Sequence, residues 1–175
     1  MSLRYLIEPL SAARHRLDEF SCEENDLTEF LHRRALPEME SRASACFVLV
    51  PKDDPGRVAG FYTLSAATIS LAKLPPELTR ELPKDPILPA TLLGRLARDQ
   101  KFRGAGLGEL LLVSALRRAL AGTGSVGSVA VVTDPKNAKA EGFYHKYGFR
   151  NVGGGRRVFL TMKDIAAWLE KGEPT

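Results

Sequence analysis

At 175 residues with 44% hydrophobic side chains, the chain has the size of one domain and enough apolar content to build a core without disulfides or metal. Its two cysteines, Cys22 and Cys46, match neither a zinc spacing nor the dense framework of a small secreted domain, so a reducing compartment, the cytoplasm, is expected. A net charge of +4 favours an anionic partner without implying nucleic acid by itself, and no apolar run reaches the roughly 18 residues of a membrane span.

The N-terminus lacks the apolar core of a signal peptide, and its opening MSL is compatible with a cloning remnant. The first element expected is a helix in NDLTEFLHRRALPEME, where Leu27, Phe30 and Leu31 fall at helical spacing, Asn25 can cap, and Asp26 and Glu29 suit the first turn. ACFVLVP and VAGFYTLSAA are β-rich runs joined by KDDPGR, whose Asp-Pro-Gly chemistry predicts a turn and so a hairpin. Five prolines between residues 71 and 89 leave room for a short helix, PPELTREL, with proline in its first turn. PATLLGRLARD then reads as a buried strand, the glycine-rich KFRGAGLG follows, and Leu107, Leu110, Leu111, Ala115, Leu116 and Ala119 recur at helical spacing up to Gly122. VGSVAVVTD is a further strand, PKNAKAEGFYHKYG a helix closed by glycine, RRVFLTMK a last strand and DIAAWLEKG a terminal helix. This alternation implies an α/β chain (α+β mixed) with a mixed sheet and helices packed on its faces.

A glycine loop between a strand and a helix can cradle an anion, because backbone N–H groups approach phosphate oxygens closely and the helix dipole assists. The dinucleotide pattern G-x-G-x-x-G fails here: Glu109 occupies the third glycine's place and Gly108 comes one position too soon. No Gly-Lys-Ser/Thr follows, which excludes a Walker loop. What remains is Arg103-x-x-Gly106-x-Gly108, a pattern that a plain tight turn would also satisfy.

That loop resembles the pyrophosphate loop of the GCN5-related N-acetyltransferase (GNAT) superfamily, and NAKAEGFYHKYGF resembles its later motif through Asn137, Ala140, Phe143, Tyr144, Lys146, Gly148 and Phe149. The resemblance implies a GNAT fold with a twisted mixed sheet splayed between its fourth and fifth strands, helices on both faces, and acetyl-coenzyme A as cofactor. It assigns the cofactor to Leu96, Ala97 and Arg98 along the fourth strand, to Arg103, Gly104, Ala105, Gly106, Leu107 and Gly108 in the loop, and to Asn137. A narrower resemblance runs through FSCEENDLTEFLHRRA, VAGFYTLSAATI, LPPELTRELPKDPILPATLLGRLARD and FLTMKDI, which are similar to the toxin branch of type II toxin–antitoxin systems. It implies one domain over residues 1–175, acetylation of the α-amine of aminoacyl-tRNA, a ribbon-helix-helix antitoxin as partner and a homodimer. The chain departs from that branch at Arg98, where an aliphatic residue is expected, and in GGGRR at residues 153–157.

Acetyl transfer to an amine needs a neutral nucleophile, a polarised thioester carbonyl and a proton for the leaving thiolate. An α-amine titrates near 7.7 to 8.0, so a useful fraction is neutral without a dedicated base. A backbone N–H near Ala97 can polarise the carbonyl. Tyr144 aligns with the superfamily's general-acid tyrosine; the same residue type also serves as a core aromatic whose hydroxyl satisfies a buried carbonyl. Tyr147 is read as packing, His145 as a surface residue, and His15 and His32 lack partners at metal-ligand spacing. Arg33, Arg34 and Arg95 are candidates for the tRNA backbone, and a small-molecule or protein amine, or acyl-coenzyme A binding without catalysis, are the alternative readings.

Overall fold

Strands and capped helices alternate along residues 4–172, the part of the chain that the computed structural model describes; the opening MSL lies outside the described residues. Seven strands follow the order β1-β2-β3-β4-β5-β7-β6 in a mixed sheet, and the described residues pack as two compact units.

The first unit contains the chain up to Ser65 together with Gly94–Ala115. β1 (Tyr5–Pro9) pairs antiparallel with β2 (Ala45–Pro51), Tyr5 facing Pro51 and Pro9 facing Phe47. β2 pairs antiparallel with the start of β3 (Gly60–Ser70), from Ala45↔Leu64 to Leu49↔Gly60, which is the expected hairpin. β1 was not foreseen, because a five-residue strand holding Glu8 and ending in Pro9 shows neither a clean alternation nor a long apolar run. The core gathers Phe20, Phe30, Leu31, Cys46, Val48, Val58 and Ala97 around Phe61, whose ring meets Phe20 edge-on at 5.4 Å and stacks on Phe30 at 6.0 Å.

The helix expected over 25–40 is two helices, α1 (Asn25–Arg33) and α2 (Ala35–Glu40), broken at Arg34 with φ −115°. Pro37 has no N–H to continue the ladder and is compatible only with a first turn, so a second helix starts just before it. Glu24, not Asn25, takes the capping position, and its side chain makes no capping bond. Gly60 is needed where it stands: a Cβ there would meet Leu111 Cδ1 at 2.9 Å and the Ala97 carbonyl at 3.1 Å.

The second unit contains Ala66–Leu93 and the chain from Leu116 onward. The proline-rich segment holds a single helical turn, α3 (Pro76–Thr79), shorter than the expected PPELTREL because so brief a segment gains little from helical bonds and Pro83 lies just beyond. β4 (Ile87–Arg98) alternates between buried and open positions instead of being buried throughout. Its Thr91 and Leu92 pair in parallel with Val131 and Val132 of β5 (Ala130–Thr133). β7 (Val158–Thr161) runs antiparallel to β5 and to β6 (Arg150–Asn151), a two-residue strand too short to be read from sequence. Ile69, Leu74, Leu88, Ala90, Val132, Val152 and Phe159 form this unit's core. α4 (Leu107–Gly122), α5 (Ala138–Lys146) and α6 (Met162–Glu170) fall where the sequence predicts helices.

Candidate active site

The glycine loop begins at a buried carboxylate. Asp99, 1% exposed, follows β4 and accepts from Lys101 N at 2.8 Å, Ser21 N at 3.0 Å and Arg57 Nη2 at 3.1 Å. It thereby caps the 3-10 turn Gln100–Phe102 that delivers the chain to Arg103. Arg57 is held in turn against the Phe102 ring, 5.5 Å from its centroid. Sequence reading passed over Asp99; its one signal is an acid placed between a strand and a glycine loop.

Beyond Arg103, Gly104 and Gly106 take φ of +76° and +72°, a left-handed backbone that glycine adopts freely. No atom lies within 4 Å of where a Cβ would stand on either, so the loop's surface is open to a ligand. Leu107 is fully buried and starts α4, whose first N–H groups have no partner within the helix. With Arg103 exposed beside it, this arrangement fits a doubly charged pyrophosphate. In the structure Arg103 Nε donates to Glu23 Oε1 at 2.8 Å.

Leu96, Ala97 and Arg98 end β4; Ala97 is buried, and Leu96 and Arg98 are half-buried. Arg98 stands 3.9 Å from Glu23 and leaves Nη1 buried without a hydrogen-bond partner. Of the arginines considered for substrate, the structure brings two together. Arg95 lies flat over Phe30 at 3.7 Å, Arg34 lies 5.4 Å from the same ring, and both face Glu38, at 3.8 and 2.6 Å. Arg33 is apart from them, paired with Glu29 at 3.1 Å.

The second unit presents Tyr144. Asn137 caps α5 by accepting from Ala140 N at 2.9 Å, and the helix is closed at Gly148, φ +91°, whose N–H donates to the His145 carbonyl. The Tyr144 ring is 7% exposed and sits edge-on to Phe143 and Phe149, each at 5.2 Å. Burial pushes its hydroxyl up to about 12, against an opposing effect from its hydrogen bond with Thr133. A hydroxyl in this state is protonated across the physiological range and can act as a donor. Tyr147 packs between Phe143 at 5.2 Å and Trp168 at 6.3 Å. His145 is exposed and bonds Asn151 Oδ1 at 2.8 Å. His15 and His32 are engaged with Glu8 and the Phe20 carbonyl, and among the described residues no cluster suits a metal ion. No helix among them is long and apolar enough to cross a membrane.

A family model described as FR47-like protein matches residues 85–158, which contain both the glycine loop and α5. A tRNA-acetylating toxin of Mycobacterium tuberculosis is 36% identical over 151 residues, covering 86% of this chain and 88% of that relative. A probable toxin TacT of Sinorhizobium fredii is 31% identical over 173 residues, 94% of each chain. The solved structure of AtaT complexed with acetyl-methionyl-tRNAfMet matches with a TM-score of 0.87 at 26% identity, over 94% of this chain and 99% of that one. A tyrosine-to-phenylalanine mutant of the AtaT toxin, bound to the C-terminus of the antitoxin AtaR and acetyl-CoA, matches with a TM-score of 0.80 at 25% identity, over 95% and 98%.

Proposed function

The chain belongs to the tRNA-acetylating toxin family of GNAT-type acetyltransferases, and from that membership we propose that it moves the acetyl group of acetyl-coenzyme A to the α-amine of aminoacyl-tRNA, stopping translation. The observation that carries this reading is the extent of the likeness: it runs over nearly the whole chain, well beyond the residues 85–158 that the FR47-like model covers.

When bound, acetyl-coenzyme A supplies the activated thioester. Arg103 and the N–H groups of Gly104, Ala105, Gly106, Leu107 and Gly108 hold its pyrophosphate, the main chain of Leu96, Ala97 and Arg98 holds its pantetheine arm, and Asn137 supports it from the head of α5. The Ala97 N–H polarises the thioester carbonyl. Tyr144 donates its hydroxyl proton to the departing sulfur, whose reference pKa near 8.5 makes protonation useful. The α-amine, at 7.7 to 8.0, needs no strong base.

Arg34, Arg95 and, further along α1, Arg33 contribute to holding the tRNA backbone. Each now faces a carboxylate, so phosphate replaces Glu38 or Glu29 as the partner and the affinity falls steeply with salt. We take the partner antitoxin to be a ribbon-helix-helix protein, the toxin to be a homodimer of single-domain chains, and the compartment to be the cytoplasm, where charged tRNA is found. The test is incubation with acetyl-coenzyme A and bulk charged tRNA, followed by mass spectrometry of the aminoacyl adenosine. An acetyl group on the α-amine is expected; its absence over all charged tRNAs contradicts the reading.

A further inference from the structure

Thr133 is the last residue of β5 and only 3% exposed. The parallel ladder between β4 and β5 joins Thr91 to Val131 and Leu92 to Val132. At the next position a side chain takes over: Thr133 Oγ1 donates to the Leu93 carbonyl at 2.7 Å. The same hydroxyl is hydrogen-bonded to Tyr144. A hydroxyl has one hydrogen and two lone pairs, and that of Thr133 is already given to Leu93. In the bond between them Tyr144 is therefore the donor and Thr133 the acceptor, and the chain of donation runs from Tyr144 through Thr133 to Leu93.

We propose that Thr133 is a positioning residue for Tyr144: its hydroxyl holds the tyrosine proton in the resting protein and turns onto the phenolic oxygen when that proton leaves. The proposal rests on the reading of Tyr144 as the proton donor. In the step, the Tyr144 Oη–H bond breaks and its proton goes to the sulfur of the leaving thiol. The Thr133 hydrogen swings from the Leu93 oxygen to the phenolate by rotation about Cβ–Oγ1, with no covalent change at Thr133. Oη is then reprotonated by the proton that the acceptor amine sheds as it becomes an amide. Buried as Tyr144 is, its oxygen needs a local donor once charged, because a buried anion without a hydrogen bond is strongly disfavoured. Thr133 can switch between the two roles because its second partner is a carbonyl, which accepts in either state.

Two measurements test this. In the protein without cofactor, the Tyr144 Cζ resonance is followed with ¹³C-labelled tyrosine and assigned with Tyr144→Phe. Thr133→Val, which keeps the shape and removes the hydroxyl, is expected to shift that resonance, and Thr133→Ser to leave it in place. An unmoved resonance in Thr133→Val overturns the proposal. In steady-state transfer from acetyl-coenzyme A to bulk charged tRNA, Thr133→Val is expected to lower kcat about tenfold, the rate equivalent of one lost hydrogen bond, with KM for acetyl-coenzyme A unchanged. Thr133→Ser should retain kcat, and Thr133→Ala, which cannot crowd its neighbours, should behave as valine does. In a Tyr144→Phe background, Thr133→Val should cost nothing further. An equal loss in both backgrounds assigns Thr133 a purely structural role and overturns the proposal. Full turnover by Tyr144→Phe alone instead removes the reading of Tyr144 as proton donor, a result separable from the others.

Discussion

Arg103, at the head of the glycine loop, donates Nε–H to Glu23 Oε1 at 2.8 Å, and the Arg98 guanidinium stands 3.9 Å from the same oxygen. A backbone hydrogen bond within Glu23 itself, followed by the Arg103 pairing, holds that carboxyl below its usual pKa. In this structure, then, the cation assigned to pyrophosphate already has an anionic partner.

Removing that partner should favour the cofactor. Glu23→Gln is expected to tighten acetyl-coenzyme A binding about two- to fivefold at low salt, the range set by an exposed ion pair. The gain should fade toward 1 M salt, where screening acts within a few ångströms. Isothermal titration at two salt concentrations measures this, and weaker binding by the variant would show that Glu23 orients Arg103 instead of competing for it.

Asp99→Ala should destabilise the fold by about 3 kcal/mol, because it leaves the Arg57 cation and two backbone N–H groups of the loop entrance without their acceptor. Asp99→Asn should cost less, since an amide oxygen still accepts. Urea denaturation of the three proteins gives the ranking, and an unchanged midpoint for the alanine variant contradicts it.

The pH dependence separates donor from acceptor. A tyrosine hydroxyl pushed up to about 12 remains protonated until the pH nears that value, so Tyr144 adds no descending limb at ordinary pH. kcat/KM should rise with the acceptor α-amine, near 7.7 to 8.0, and then stay level to about pH 10. A decline centred near 10 would mean that the essential hydroxyl titrates like an exposed phenol.

Much of this arrangement was legible in the sequence because it depends on local spacing. Gly104, Gly106 and Gly148 occur where the backbone takes positive φ, and Asn137 caps α5 as its position before that helix predicts. The rest depends on contacts between residues far apart in the chain. Glu23 and Arg103 lie 80 positions apart, and Thr133 and Leu93 lie 40 apart, so no window of sequence shows either pair. Asn25 misled because capping depends on where the helix starts, and Glu24 took that place. The break at Arg34 was visible in principle through Pro37, but the apolar spacing on either side concealed it.

The most direct test of the account is the rate of acetyl transfer from radiolabelled acetyl-coenzyme A to bulk charged tRNA, under single-turnover conditions, for the wild-type protein and Tyr144→Phe. The account predicts labelled N-acetyl-aminoacyl-tRNA from the wild-type protein, a rate lower by about 10² to 10⁴ in the variant, and near-equal affinity of both for acetyl-coenzyme A. Equal rates, or label that never appears on the tRNA, would contradict it.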